Sequence, residues 1–381
     1  MTLVYLLAGE ASGDLLGGRL MAALKRHRPE LEFAGVGGER MAAEGLHSLF
    51  PMHELALFGL LEVLPKLRGL RRRMAQAEAD ILARRPAVLV TIDAPGFTLR
   101  LAARVRPHGI KVVHYVAPQL WAWRPGRVEK LKQRVDEVLA LLPFEPVFFE
   151  RHGMKVRFVG HPVLEGGADT GDAARFRATH GLRPEEPVVL VMPGSRRGEI
   201  SRLMGAFGEA LRLVPAEVPG IRPVVPLAGA VAEAVRAGTR DWPVQPILVS
   251  DAADKFDAYA AAAAGLIKSG TSSLEVALAG VPHVVGYKLN AVTAFLVRRL
   301  IQVPYVSIVN LLAERAIAPE LLLEHCNPRE LADALLPLLR DPAAAEAQRA
   351  GFREVMGMLR PPEGLPSEAA AAAVLAVLDA G

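Results

Sequence analysis

The chain of 381 residues predicts an α/β protein made of two doubly wound, Rossmann-like domains facing each other across a cleft. Three observations predict it. Short apolar runs rich in Val, Leu and Ile are continuous rather than alternating, as strands of a parallel sheet covered on both faces must be. Longer amphipathic stretches separate them, which is the rhythm of right-handed βαβ units. The series then runs a second time, after a Gly- and Asp-rich passage at 165–172 that reads as a hinge.

In the first series the runs at 3–8, 32–36, 88–92, 111–116, 137–141 and 157–159 read as strands, and 15–26 as the first helix. In the second, 188–192, 223–227, 247–249, 265–268, 283–287 and 305–308 read as strands, with 199–214 as a helix. Beyond Arg360-Pro361-Pro362 an Ala-rich helix runs to Leu378, with Ser367 as its N-cap. The expected domains are 1–165, 166–345 and a helical tail over 346–381. Whether the tail returns to the first domain is not written in its own residues.

Composition narrows the function. There are 45 Lys and Arg against 41 Asp and Glu, too small an excess for a nucleic-acid binder but enough for a local basic face. Cys326 is the single cysteine, so no intrachain disulfide can form, and it reads as a buried structural residue. The N-terminus lacks the basic flank and cleavage site of a signal peptide. The longest apolar run, about eight residues near 260–267, falls far short of the roughly 20 of a membrane span. A cytoplasmic protein, free or lying on a membrane surface, is expected.

Ligands of wound sheets bind outside the carboxyl ends of the strands, so the loops there carry the candidates. Gly9-Glu10-Ala11-Ser12-Gly13-Asp14 opens the first helix; it either admits a ligand to the helix N-terminus or is a plain turn capped by Ser12 or Asp14. Its spacing is not that of a dinucleotide site. Gly17-Gly18 in the helix calls for close packing or a close ligand. Asp93, at the end of the third strand, is placed as a general base or as a helix cap. Trp121, Trp123 and Arg124 bring aromatic and cationic groups to one loop, suited to a sugar or a phosphorylated lipid, with core packing the alternative for at least one Trp.

In the second half, Gly194-Ser195-Arg196-Arg197 joins a strand to a helix and makes a cradle for a diphosphate, without the Lys and spacing of an ATPase loop. Ser269-Gly270-Thr271 also opens a helix, and Glu275 one turn on could receive ribose hydroxyls. Alternatively Ser272 and Glu275 form a capping box. Asn310 is a polar group in apolar company that needs partners, from a ligand or from a turn. The apolar stretch 55–64, followed by Lys66, Arg68, Arg71, Arg72 and Arg73, fits an interfacial element on anionic lipid or an ordinary core helix. The ten histidines are scattered, and no metal set is visible; His114 and His161 lie near strand ends.

Taken together and in order, these segments resemble the lipid-A-disaccharide synthases, two-domain glycosyltransferases of the GT-B type. The likeness runs through AGEASGD (8–14), GVGGERMAAEG (35–45), ELALFGLLEVLPKL (54–67), TIDAPGF (91–97), HYVAPQLWAWRPGRV (114–128), LPFEPVFF (142–149) and FVGHP (158–162). It continues through PGSRRGEI (193–200), SGTSSLE (269–275), VVGYK (284–288) and YVSIVNLLA (305–313). The resemblance implies inverting transfer of 2,3-diacylglucosamine from its UDP donor to the 6-hydroxyl of 2,3-diacylglucosamine 1-phosphate, giving a β-1,6 disaccharide phosphate and UDP.

On this sequence it implies Asp93 as the base. Ser195, Arg196, Ser269, Gly270, Thr271, Glu275 and Asn310 would hold UDP, and Glu10, Ser12, Asp14, Trp123 and Arg124 the rest of the substrates. No metal or cofactor is implied. An anionic membrane surface on the cytoplasmic side is the expected partner, nucleic acid is not, and a homodimer is compatible. The rivals are another UDP-sugar transferase or epimerase, and an inert sugar- or lipid-binding protein on the same scaffold.

Overall fold

The computed structural model describes residues 2–55, 60–123, 125–289 and 304–380; the side chains of 60–67, Trp123, Pro125 and Ala230 are outside the description. Two compact units are formed, Met1–Pro162 with Leu359–Gly381, and Val163–Met358.

In the first unit the strands are β1 (Leu3–Ala8), β2 (Glu32–Val36), β3 (Val88–Ile92), β4 (Lys111–Tyr115), β5 (Glu137–Ala140) and β6 (Val156–Phe158). They form one parallel sheet in the order β2-β1-β3-β4-β5-β6. The helices between them are α1 (Ala11–His27), α2 (Glu39–Ala43), α3 (Leu60–Arg84), α4 (Pro95–Val105), α5 (Leu120–Trp123), α6 (Val128–Lys132) and α7 (Glu145–Glu150). Tyr5, Leu7, Leu89, Val112 and Val138 pack against α3, α4 and α6. Their neighbours Val4, Leu6, Val88, Val90 and Ile92 pack the other way, against α1 and the C-terminal helix. Burial on both faces is why the strand sequences do not alternate.

The second unit holds α8 (Ala173–Thr179), β7 (Val188–Met192), α9 (Arg197–Leu213), β8 (Arg222–Pro226), α10 (Ala232–Thr239), β9 (Ile247–Val249), α11 (Ala252–Ala261), β10 (Ala262–Lys268) and α12 (Thr271–Leu278). It continues with β11 (His283–Tyr287), α13 (Ile308–Ala313), β12 (Glu320–Leu322), α14 (Pro328–Arg340) and α15 (Pro342–Met358). Its parallel sheet has the order β12-β11-β10-β7-β8-β9. Val189, Val191, Ala264 and Leu266 face α9 and α14, while Leu190 and Ile267 face α11 and α12.

Most strands lie where the apolar runs place them, shifted by a residue or so at their ends, and β10 begins three residues earlier than its run, at Ala262. One does not: 305–308 is no strand. The Glu320 carboxylate takes the N–H groups of Val306 and Ser307, both at 2.9 Å, and the chain turns there into α13. The pairing with β11 is made later, by Glu320–Leu322.

The 346–381 stretch, expected as one tail, is divided. α15 stays in the second unit, and the chain returns to the first at Leu359. The His161 N–H donates to the Leu359 carbonyl at 2.9 Å. A Cβ on Gly160, whose φ is 79°, would sit 2.6 Å from Cδ of Pro361, so only glycine fits beside the returning chain. The last helix, α16 (Pro366–Asp379), starts with Pro366 at its first position and Leu365 as N-cap, not Ser367. Ala370, Ala371, Ala373, Val374 and Val377 join the α1 side of the core, and Glu368 pairs with Arg26 and His27. Small side chains on that face let the helix come close. Close packing also explains Gly17-Gly18: Cβ atoms there would meet Sδ of Met41 at 2.5 Å and the Arg40 carbonyl oxygen at 3.0 Å.

Candidate functional site

A wound parallel sheet opens a crevice where neighbouring strands send their chains to opposite faces. In the first unit that switch lies between β1 and β3, whose last residues, Ala8 and Ile92, are paired. The turns leaving them carry Glu10, Ser12, Asp14 and Asp93. They touch closely, since a Cβ on Gly9 would lie 2.8 Å from Cβ of Ala94.

Asp93 and Ala94 both have left-handed backbone, with φ of 48° and 45°. Each such residue costs about 1–2 kcal/mol, and strain of this kind gathers at functional sites. The turn is held by the Asp93 N–H on the Tyr115 carbonyl at 2.9 Å and by the Thr98 hydroxyl, which donates to the carbonyls of Asp93 (2.7 Å) and Ala94 (3.0 Å). Oδ1 of Asp93 accepts the Ala94 N–H at 2.7 Å; Oδ2 has no partner among the described residues. The side chain is half-buried and caps nothing beyond its neighbour. Val116, at the end of β4, is also left-handed, with φ of 80°, which is rare for a β-branched residue.

Glu10 is the half-buried N-cap of α1, and Ser12 is exposed in its first turn. Asp14 is 5% exposed and faces inward. Its oxygens accept the N–H groups of Gly38 (2.7 Å), Arg40 (2.9 Å) and Met41 (3.1 Å). Its chemistry is spent on the start of α2, so it shapes the wall rather than lining it. The Trp123 side chain and Arg124 lie outside the described residues, as do 56–59 within the apolar 54–65 stretch. Of the basic follow-on, Arg68, Arg71 and Arg72 are exposed, while Arg73 is tied to Glu54 at 2.6 Å.

Glu145 escaped the sequence reading as a residue of consequence. It is buried after the Leu-Pro-Phe turn, and Oε2 accepts the N–H groups of Leu141 and Leu142 at 3.0 Å. Oε1 accepts the Trp121 indole N–H at 3.1 Å, and Trp121 sits edge-on to Phe144. Burial pushes the Glu145 carboxyl up to about 7, against the pull of those three donors. Nothing in sequence marks it except an acid at the first position of a helix.

In the second unit the switch lies between β7 and β10, where Met192 pairs with Ile267. The turns that follow are the two cradle motifs. Ser195, Arg196 and Arg197 are exposed, with Arg196 as N-cap of α9 and no side chain capping it. Arg196 stands 3.5 Å from Glu199, whereas Arg197 lines a cavity of about 710 Å3 with Ile200, Ser201, Met204 and Glu233. Gly270 is the N-cap of α12, and Thr271 is exposed at its first position. The capping box does not form: Ser272 lies inside the helix and Glu275 turns instead to Lys255 (2.8 Å) and the Tyr259 hydroxyl (3.4 Å). Ser269 is buried, its hydroxyl donating to the Val306 carbonyl at 3.2 Å.

Asn310 is wholly buried and wholly satisfied. Nδ2 donates to the Ala318 carbonyl (2.7 Å) and Glu320 (2.8 Å), and Oδ1 accepts the N–H groups of Ile317 (2.8 Å) and Ala318 (2.9 Å). All four of its hydrogen-bonding positions serve the loop, so none is left for a ligand. Cys326 is buried, as expected.

Strand-end turns that present a half-engaged carboxylate in one unit and exposed guanidinium and hydroxyl groups in the other suit sugar and phosphate chemistry, and the relatives narrow it. The profile described as Lipid-A-disaccharide synthetase matches residues 4–374. The chain belongs to the lipid-A-disaccharide synthetase family. It is 52% identical to the lipid-A-disaccharide synthase of Gluconobacter oxydans over 99% of this chain and 91% of that one. With the synthase of Granulibacter bethesdensis it shares 51% over 99% and 98%. It is therefore a glycosyltransferase of lipid A biosynthesis.

Solved structures agree on the fold alone. A UDP-GlcNAc 2-epimerase from Neisseria meningitidis, solved with UDP-GlcNAc, superposes with TM-score 0.64 at 12% identity, each chain fully covered. MurG of Acinetobacter baumannii does so with 0.58 at 15%, again over 100% of both chains. No helix among the described residues of this family member is long and apolar enough to cross a membrane.

Proposed function

We propose that the two units divide the family's reaction, the first taking the acceptor and the second the UDP of the donor. The donor is UDP-2,3-diacylglucosamine and the acceptor 2,3-diacylglucosamine 1-phosphate. Asp93 removes the proton of the acceptor 6-hydroxyl as the sugar inverts, and UDP leaves. Glu10 and Ser12 neighbour that base, and Trp123 and Arg124 serve the lipid substrates. Ser195, Arg196, Ser269, Gly270, Thr271 and Glu275 receive UDP, whose growing negative charge meets a guanidinium and two helix N-termini. Asp14 and Asn310 act from behind, holding the turns in shape.

The observation that carries this reading is the Asp93 turn: a strained backbone anchored by Tyr115 and Thr98, presenting at the switch point a carboxylate with one oxygen unengaged among the described residues. The exposed Arg68, Arg71 and Arg72 support docking of the enzyme, alone or as a homodimer, on the anionic inner face of the cytoplasmic membrane. The test measures UDP release from the two acylated substrates and UDP binding by calorimetry. Asp93→Asn is expected to lose on the order of 10²–10⁴ in turnover while binding UDP unchanged. Turnover at the wild-type rate in Asp93→Asn would remove it as the base.

A further inference from the structure

Between the two loops of the β7–β10 switch lies an ion pair that the assignment of UDP contacts leaves out. Lys268, the last residue of β10, places Nζ 3.0 Å from Oε1 of Glu199 in the first turn of α9. The two side chains are only 17% and 13% exposed. Oε2 of Glu199 accepts the Ser195 N–H at 3.1 Å, so one carboxylate fixes the Gly194–Ser195 turn and the lysine together. The fit is tight: a Cβ on Gly194 would stand 2.5 Å from that Oε2, and one on Gly270 would stand 3.3 Å from Nζ of Lys268. Burial pushes the Glu199 carboxyl up, but the hydrogen bond and charge of Lys268, with the Ser195 N–H, hold it below its ordinary value.

The charge balance is the argument. The starts of α9 and α12 converge on this spot with unsatisfied N–H groups and the positive ends of their dipoles. Arg196 and Lys268 add two cations, and Glu199 supplies a single anion against them. A lysine is poorly placed at two helix N-termini unless further negative charge arrives there. A partly buried ion pair gives little stability in return for its desolvation, so stability alone does not explain it. Nζ also stands 5.6 Å from the centre of the Tyr287 ring, and among the described residues Glu199 is the one hydrogen-bonding partner of its three donors.

We propose that Lys268 is a further donor-binding residue, an ammonium that Glu199 holds between the two loops to receive diphosphate oxygens of a nucleoside diphosphate sugar. The inference rests on the reading that the second unit binds UDP. In it Glu199 is a positioning residue, acting on the diphosphate through Lys268 and the Ser195 turn.

The test compares full-length wild type, Lys268→Met, Lys268→Arg and Glu199→Gln for UDP binding by calorimetry and for uridine binding by ligand-observed NMR. Lys268→Met is expected to weaken UDP about tenfold and leave uridine unchanged, since uridine has no phosphate. Lys268→Arg restores most of the UDP affinity, and Glu199→Gln loses UDP selectively as well. The proposal is overturned if Lys268→Met binds UDP like wild type, or loses UDP and uridine in equal proportion, which marks a structural prop. Should methionine not fold there, Lys268→Gln reads the same difference. A wild type that binds no UDP overturns the nucleotide reading itself, and this inference with it.

Discussion

Gly9 and Ala94 set the spacing of the first unit's switch point: a Cβ on Gly9 would lie 2.8 Å from the Cβ that Ala94 already carries. Gly9→Ala is therefore expected to cost about 1–3 kcal/mol, as overpacking does, and to lower turnover by displacing Asp93. Ala94→Gly removes both the opposing Cβ and the left-handed penalty at φ 45°. The double variant should accordingly regain most of what Gly9→Ala loses. Unfolding midpoints of the four proteins form the cycle, and strict additivity would disprove the contact.

Asp14 lies six residues beyond the end of β1 and Asp93 one residue beyond the end of β3, and the two are opposite in use. Asp14→Ala takes the acceptor from three N–H groups of the β2–α2 turn, of which that of Met41 is buried and those of Gly38 and Arg40 are part-buried. Its expected effect is a stability loss of roughly 2–3 kcal/mol, with UDP affinity in the second unit intact. Chemical denaturation checks it. A fully stable Asp14→Ala enzyme that fails only in acceptor turnover would return Asp14 to the substrate wall.

The same logic applies to Asn310. Asn310→Ala removes two donors and two acceptors from a sealed loop and is expected to destabilise by about 2–4 kcal/mol. UDP affinity should fall only as the loop loosens, so low temperature should restore it. Calorimetry with UDP at two temperatures separates the cases: a persistent loss in a stable protein means that Asn310 touches the nucleotide.

These cases mark what the chain shows in its sequence and what it hides. Continuous Val, Leu and Ile runs announce a sheet buried on both faces, and the loops after them fall at the ligand-binding edge, so Asp93 and Arg196 are found by position. What a side chain does there depends on distant residues. Tyr305 to Ile308 reads as a strand by composition, yet Glu320, more than ten residues on, takes the Val306 and Ser307 N–H groups and the chain enters a helix at Ile308 instead. Gly17-Gly18 asks for a neighbour without naming Met41 and Arg40. The return of α16 is written partly in Arg26, at the far end of the chain from Glu368. Asp14 and Asn310 look like ligands because turn-forming and ligand-binding residues are the same polar types.

Glu145 carries the pH dependence most open to measurement. It is 3% exposed, and burial raises its carboxyl from the ordinary 4.5 to about 7. A raised carboxyl binds its proton more tightly in the folded than in the unfolded chain. Its contribution to stability is therefore complete below about 4.5 and is lost as pH rises through about 7. At 1.36 kcal/mol per unit, the swing is about 3 kcal/mol. Glu145→Gln does not titrate, so wild type should lose stability relative to it by that order between pH 4.5 and 8. Denaturation midpoints at both ends of the window test the difference. Because Oε1 also receives the Trp121 indole N–H, the wild-type tryptophan emission should shift near pH 7 and that of Glu145→Gln should not. A stability difference that stays constant with pH would mean that the carboxyl keeps a fixed charge throughout, and that the three N–H donors outweigh its burial.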